Sequence, residues 1–160
     1  MSFIISSMIL SIANTIPNFY SLKLLKGFFL RLSGIKLNFK GIYFVSPIKF
    51  DRPKNIIIGK GVFINQNVYF EGEGKISIGQ HVQIGPNVVI STTSHDIKND
   101  MMNKKGDIKI LDNVWIGSNV VLTKDIVVGP NVIIGAGSIM TKSFKNCVVA
   151  GNPAKIISEI

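Results

Sequence analysis

Two histidines, His81 and His95, are the side chains of this 160-residue sequence best suited to carry protons near neutral pH. His95 lies in the polar run Thr92-Thr93-Ser94-His95-Asp96, and His81 lies in a regular apolar-periodic stretch. A lone loop histidine is ordinarily a solvated turn residue. His95 has a better claim, because residues 91–109 form the only long interruption of an otherwise regular pattern, and such insertions on rigid scaffolds carry function. Its imidazole could accept a proton from a nucleophile as that nucleophile attacks. The second ring nitrogen needs an acceptor to fix the tautomer, and either Asp96 or a backbone carbonyl could serve. His81 falls at a corner position of the pattern, where a structural reading is preferred.

The pattern that must position these residues has a period of six. Ile110, Ile116, Leu122, Val128, Ile134 and Met140 follow one another at that interval, with Val114, Val120, Ile126, Val132 and Ser138 four residues after the first five. The fourth position of successive hexads reads Gly61, Asn67, His81, Asn87, Asn113, Asn119, Asp125, Asn131 and Gly137, the types that enter the left-handed backbone region at least cost. A period of six is that of neither a helix nor a simple strand; it is the hexapeptide repeat of a parallel β-helix. Three hexads should close a triangular coil stacked at ~4.8 Å on the next. Further back, Phe44, Phe50, Ile58, Ile64, Phe70, Ile78, Ile84 and Ile90 continue the first position, with Ile48 as a fifth-position residue and longer steps at 50–58, 70–78 and 90–110. These recur every twenty residues, which predicts that all three excursions leave the prism at one corner. A further eight-residue step is read from Met140 to Val148, after which 150–154 should leave the prism and 155–159 form a short C-terminal helix.

Composition allows one core-bearing unit, with 46 % hydrophobic residues. The formal charge of +9, from 18 Lys and Arg against 9 Asp and Glu, suggests phosphate groups or an anionic membrane surface as partners. No aromatic-rich basic motif accompanies the charge, so nucleic acid is not expected. The single Cys147 excludes an internal disulfide and suits a reducing compartment. Residues 1–22 carry no charge, yet they lack the basic start of a signal peptide, and Ser6, Ser7, Ser11, Asn14, Pro17 and Asn18 interrupt them as a span. Residues 22–32 mix Leu and Phe with Lys23, Lys26 and Arg31. Residues 1–34 are therefore expected to be a helical cap on the open end of the prism or on a neighbouring subunit, with a helix lying on a membrane as the second reading. Residues 35–160 are expected to form an all-β, left-handed parallel β-helix.

The segments Ser94-His95-Asp96, Asn113-Val114-Trp115-Ile116-Gly117, Ile134-Gly135-Ala136-Gly137-Ser138, Thr141-Lys142 and Ala150-Gly151-Asn152-Pro153-Ala154-Lys155 together resemble the hexapeptide-repeat acyltransferases. The nearest branch is that of the maltose and galactoside O-acetyltransferases and the capsule, O-antigen and colanic-acid enzymes; the resemblance covers about residues 44–157. It implies a left-handed β-helix, a homotrimer with sites between subunits, acetyl-CoA as co-substrate without a metal, and transfer to a sugar hydroxyl in the cytoplasm or at the inner face of the membrane. It implies His95 as general base, with an oxyanion donor supplied by the neighbouring prism's backbone. Asn65, Glu73 and Trp115 match acceptor-side positions, although the family has Asp where Glu73 stands. Ser118, Ala136, Thr141, Lys142 and Lys155 match CoA-contacting positions, with Lys155 often Arg in the family. Met101 and Met102 would either line the acceptor pocket or form an apolar loop tip.

Other acceptors share this donor chemistry: amino sugars, serine and antibiotics, the first by N-acetylation. A γ-class carbonic anhydrase would need three histidines per chain for zinc, and this chain has two. A non-catalytic structural β-helix needs neither His95 nor the Thr141-Lys142 pair.

Overall fold

The hexads fold into a triangular prism. In the computed structural model, which describes residues 3–160, the chain winds as a left-handed parallel β-helix with three walls. Wall one stacks Lys36–Leu37, Ile56–Ile58, Ile76–Ile78, Ile108–Ile110 and Ile126–Val128. Wall two stacks Tyr43–Phe44, Phe63–Ile64, Gln83–Ile84, Trp115–Ile116, Val132–Ile134 and Cys147–Ala150. Wall three stacks Ile48–Phe50, Val68–Glu71, Val89–Ser91, Val121–Leu122 and Ile139–Met140.

Both sequence patterns are realised. The first-position residues from Ile110 to Met140 are at most 1 % exposed, and burying each such side chain contributes about 1.5–3 kcal/mol. The corner residues from Gly61 to Gly137 all have φ between 52° and 72°. Successive coils place like on like; the rings of Phe50 and Phe70 stack with centroids 4.8 Å apart, the spacing of neighbouring strands. The three long steps, 51–55, 71–75 and 92–107, all leave between walls three and one.

Two expectations are corrected. The phase after Met140 passes through Phe144, which bridges Val128 on wall one, and then Val149, which pairs with Ile134 and is 0 % exposed. Val148 points outward. The short C-terminal helix is absent: Lys155–Glu159 is a strand antiparallel to Cys147–Ala150. Five residues are too few to offset helix nucleation, whereas the open edge of the last coil offers a ready ladder to a segment containing Ile156 and Ile157.

Ahead of the prism come helix α1, Phe3–Thr15, and helix α2, Lys23–Leu32. Met1 and Ser2, the start of the uncharged stretch, lie outside the described residues. Pro17 stops α1 by disfavouring helical backbone at Ile16, and Gly34, at φ 111°, follows α2 as a left-handed terminator. The inner faces of both helices rest on the first coil. Asn14 pairs with the open edge of wall three, its Nδ2 donating to Ile48 O at 2.8 Å and its Oδ1 accepting from Ile48 N at 3.0 Å. Lys26 is buried, and its Nζ donates to Asn18 Oδ1 at 2.5 Å and Ser46 Oγ at 2.8 Å. Burial pushes the Lys26 ammonium pKa down.

Candidate functional site

The edge between walls three and one is built from side chains. Residues 91–107 open into a hairpin of two antiparallel strands, Thr93–Asp96 and Met102–Lys105, with His95 opposite Asn103. Its root is tied by Glu71, which leaves the coil below at the same corner. Glu71 Oε2 accepts from Ser91 Oγ at 2.7 Å and Thr92 N at 2.9 Å, and Oε1 accepts from Thr93 Oγ1 at 2.8 Å. Thr92, fully buried, donates through Oγ1 to Glu71 O at 2.7 Å. Two residues on, Glu73 joins all three excursions: Oε1 meets Arg52 Nη2 at 2.7 Å and Oε2 meets Lys105 Nζ at 2.8 Å. Hydrogen bonds from Lys105 and Arg52 hold the Glu73 carboxyl below the usual range.

At the hairpin tip the question of what orients His95 has an answer. Its Nδ1 lies 3.1 Å from Met101 O, the geometry in which Nδ1–H donates and Nε2 keeps a free lone pair. Asp96 is engaged elsewhere, with Lys104 Nζ at 2.8 Å, Asn99 Nδ2 at 2.7 Å and Lys98 N at 3.0 Å. Lys104 first, then Asn99 and Lys98, lower its carboxyl pKa. Asp100 and Met101 adopt φ of 50° and 55°, which costs on the order of 1 kcal/mol or more each. That strained turn aims the Met101 carbonyl at the imidazole.

Wall two carries a different feature. A groove of ≈ 440 Å³ runs along it and round the corner towards wall three, lined by Phe63, Asn65, Gln83, Trp115, Ser118 and Ala136 among others. Trp115, 56 % exposed, stands in it. The corner glycines let backbones approach: a Cβ on Gly117 would lie 2.7 Å from Ala136 N. Sequence reasoning singled out Asn65, Trp115, Ser118 and Ala136, and the structure brings them together. It missed Phe63 and Gln83. The available signal was a large apolar residue, Phe63, at an outward position of a wall.

The expected site residues thus fall into two groups. Glu73, His95, Thr141 and Lys142 lie along the edge between walls three and one; Asn65, Trp115, Ser118, Ala136 and Lys155 lie on wall two and its corner with wall three. Thr141, Lys142 and Lys155 do not line the groove. His81 is at a corner with φ 55°, its ring over Gly61, where an added Cβ would lie 2.7 Å from Nδ1.

The family described as bacterial transferase hexapeptide (six repeats) matches residues 107–142. A galactoside O-acetyltransferase of Escherichia coli (strain K12) is 40 % identical over 120 residues, covering 71 % of this chain and 59 % of the relative. The chain spans less than two thirds of the curated relatives it matches; for the Lactococcus lactis galactoside O-acetyltransferase the share is 54 %. The crystal structure of a maltose O-acetyltransferase from Clostridium difficile 630 superposes with a TM-score of 0.89 at 34 % identity, over 99 % of this chain and 86 % of that one. A galactoside acetyltransferase in complex with coenzyme A gives 0.90 at 29 % identity, over 99 % and 80 %. With the repeat, the order of the walls and this degree of identity in agreement, the chain belongs to the hexapeptide-repeat acyltransferases.

Proposed function

We propose that the protein is a homotrimeric, acetyl-CoA-dependent O-acetyltransferase acting on a sugar hydroxyl in bacterial surface-polysaccharide synthesis, in the cytoplasm or at the inner face of the membrane. What carries the reading is the split just described: the proton acceptor lies on one edge of the prism and the groove on another wall, so a site is completed only when one subunit's His95 edge meets a neighbour's wall two. Outward-facing apolar residues support such contact. Wall two presents Tyr43, Phe63, Trp115 and Ile133, and wall three presents Tyr69, Val89, Val121 and Ile139, where a solvated wall would present polar residues. In this reading Ser118, Ala136, Thr141, Lys142 and Lys155 hold CoA, the lysines meeting phosphate, while Asn65, Glu73 and Trp115 face the sugar. Glu73 would contact an acceptor while remaining in its clamp with Arg52 and Lys105.

The chemistry follows from the His95 tautomer. Nε2 takes the proton as the hydroxyl oxygen attacks the thioester carbonyl carbon; the tetrahedral oxyanion collapses, the C–S bond breaks, and the imidazolium returns its proton to the leaving thiolate. The product is the sugar ester and free CoA.

Two measurements test this. An acceptor screen with acetyl-CoA, reading thiol release over sugars, nucleotide sugars, lipid-linked glycans, amino sugars, serine and antibiotics, fixes the acceptor; turnover only on amines overturns O-transfer. Co-refolding His95→Ala chains with groove-filled Ala136→Trp chains, each inactive alone, should restore about a quarter of wild-type activity through hybrid sites. No recovery overturns the shared site.

A further inference from the structure

The helices α1 and α2 use only their inner faces on the prism. On α1, Ile4, Ile5, Met8 and Ile12 are 47–68 % exposed; on α2, Leu24, Leu25, Phe28 and Leu32 are 47–60 % exposed. The spacing is the same on both helices, n, n+1, n+4 and n+8, which is one continuous arc of about 100° on a helix. A helix apolar on its buried face and again on its outer face is not a solvated surface helix.

The two helices and the first coil carry charge of one sign only, Asp51 lining the hollow on the prism side of α1. Residues 1–50 contain six basic side chains and no Asp or Glu, the first acid being Asp51. Beyond the end of α2 opens a hollow of ≈ 750 Å³ whose lining includes Arg31, Lys36, Lys40, Phe39 and Ile57, with no acidic residue. Arg31, Lys36 and Lys40 are all exposed. Apolar arcs beside an acid-free cationic hollow match the two chemistries of an anionic bilayer surface, acyl chains and headgroup phosphates.

We propose that the outer faces of α1 and α2, together with the Arg31–Lys36–Lys40 hollow, dock the enzyme peripherally on anionic phospholipid. Among the described residues no helix is long and apolar enough to cross a membrane; at 13 and 10 residues, α1 and α2 lie in the interface. The proposal does not depend on which acceptor is used.

Sedimentation of the full chain with vesicles tests it. Wild type should pellet with vesicles of equal parts phosphatidylglycerol and phosphatidylcholine at low salt, pellet far less with phosphatidylcholine alone, and be released by salt. Reversing Arg31, Lys36 and Lys40 to Glu should lower vesicle partition by at least about a hundredfold, since loss of each basic residue near such a surface alone removes roughly fivefold and the added carboxylates are repelled. Met8→Glu with Phe28→Glu should lower it at least tenfold, with melting temperature and assembly mass unchanged. Wild type that stays in the supernatant with anionic vesicles overturns the proposal. So does a Met8/Phe28 variant that alters assembly mass by light scattering while vesicle binding persists, which would mean another copy covers this face. Should that variant misfold, the charge reversals decide alone, and unchanged binding in them is equally fatal.

Discussion

Between residues 108 and 140 the walls and corners alternate buried and outward side chains, and coil is tied to coil by backbone hydrogen bonds such as Gly117 N to Ile134 O at 2.9 Å and Val121 N to Ser138 O at 3.0 Å. In the hairpin from Thr93 to Lys105 no side chain is fully buried, and its anchorage runs through carboxylates, hydroxyls and ammonium groups. The first region is held by apolar burial, which is cooperative and admits a polar side chain only where its hydrogen bonds are met, as at Ser138, whose Oγ donates to Gly135 O at 2.6 Å and accepts from Gly151 N at 3.1 Å. The second is held by a few polar ties and two strained residues at its tip. Damage to the first should therefore remove the protein, and damage to the second should remove function while leaving the protein in place.

The largest expected effect breaks the wall. Ile116 is 0 % exposed and lies between Ile84 and Ile134 in successive coils. Ile116→Asp buries an unpaired carboxylate there, a cost of several kcal/mol against a total stability of about 5–15 kcal/mol. Circular dichroism should show loss of the native fold. A soluble, native-like variant would show that Ile116 does not face the interior of the prism.

Next comes the hairpin. His95→Ala removes the proposed proton acceptor and should lower turnover by roughly two to four orders of magnitude while melting temperature and CoA affinity stay within error. His81→Ala should leave turnover at the wild-type level. A His95→Ala protein keeping more than about a tenth of activity would place the base elsewhere or make the acceptor an amine.

These two regions also differ in how far the sequence alone exposes them. The walls were legible because each hexad states its own requirement: an apolar residue inward at Ile110 or Ile134, and Asn, Asp or Gly at a left-handed corner. Where the decision was not local, the reading failed. Lys155–Glu159 becomes a strand because Cys147–Ala150 leaves an open edge beside it, and nothing within those five residues says so. Phe144 filling wall one was missed because a corner was shortened. The hairpin's ties were legible only in part. Glu73 was picked out as a sugar contact, yet its ion pairs with Arg52 and Lys105 join residues 21 and 32 positions away that become neighbours only once coils stack. Likewise, the division of the candidate residues between two edges emerges only when each is assigned to a wall.

A smaller effect sharpens the contrast. Glu73→Gln weakens two ion pairs on a partly exposed carboxylate, worth about 0.2–1 kcal/mol together with its loss of charge, so global stability should barely move. The hairpin should loosen, read as faster hydrogen exchange at Gly106, whose N–H donates to Thr92 O at 2.9 Å. Acid should do the same to wild type. Because the Glu73 carboxyl is depressed in the folded state, its contribution is complete above the ordinary glutamate range and is lost as pH falls through the lowered folded value. In Glu73→Gln that acid-induced part of the loosening should vanish. If wild type and variant loosen alike as pH falls, the tie is carried by another depressed carboxylate of the hairpin, Asp96, which Lys104 holds low.

The smallest expected effect returns to the prism and asks what its corners owe to backbone conformation. Asn131 has φ 52°, and its side chain sits in a ladder, accepting from Asn113 Nδ2 at 3.3 Å and donating to Asn146 Oδ1 at 3.1 Å. Asn131→Gly removes the ladder but keeps a residue at ease in the left-handed region, whereas Asn131→Ala removes the ladder and adds about 1 kcal/mol of backbone strain. The ladder is exposed, so its two hydrogen bonds contribute at the low end of about 0.5–1.5 kcal/mol each. Alanine should therefore melt lower than glycine by about 2–4 °C for a chain of this size, both below wild type. Reversing that order would mean that glycine's freedom in the unfolded chain outweighs corner strain, and that the Asn column is kept for its side-chain ladder. Equal melting points would mean that the two terms cancel at this corner, and the same pair of substitutions at Asn119, whose φ is 58°, would then show whether the balance is general.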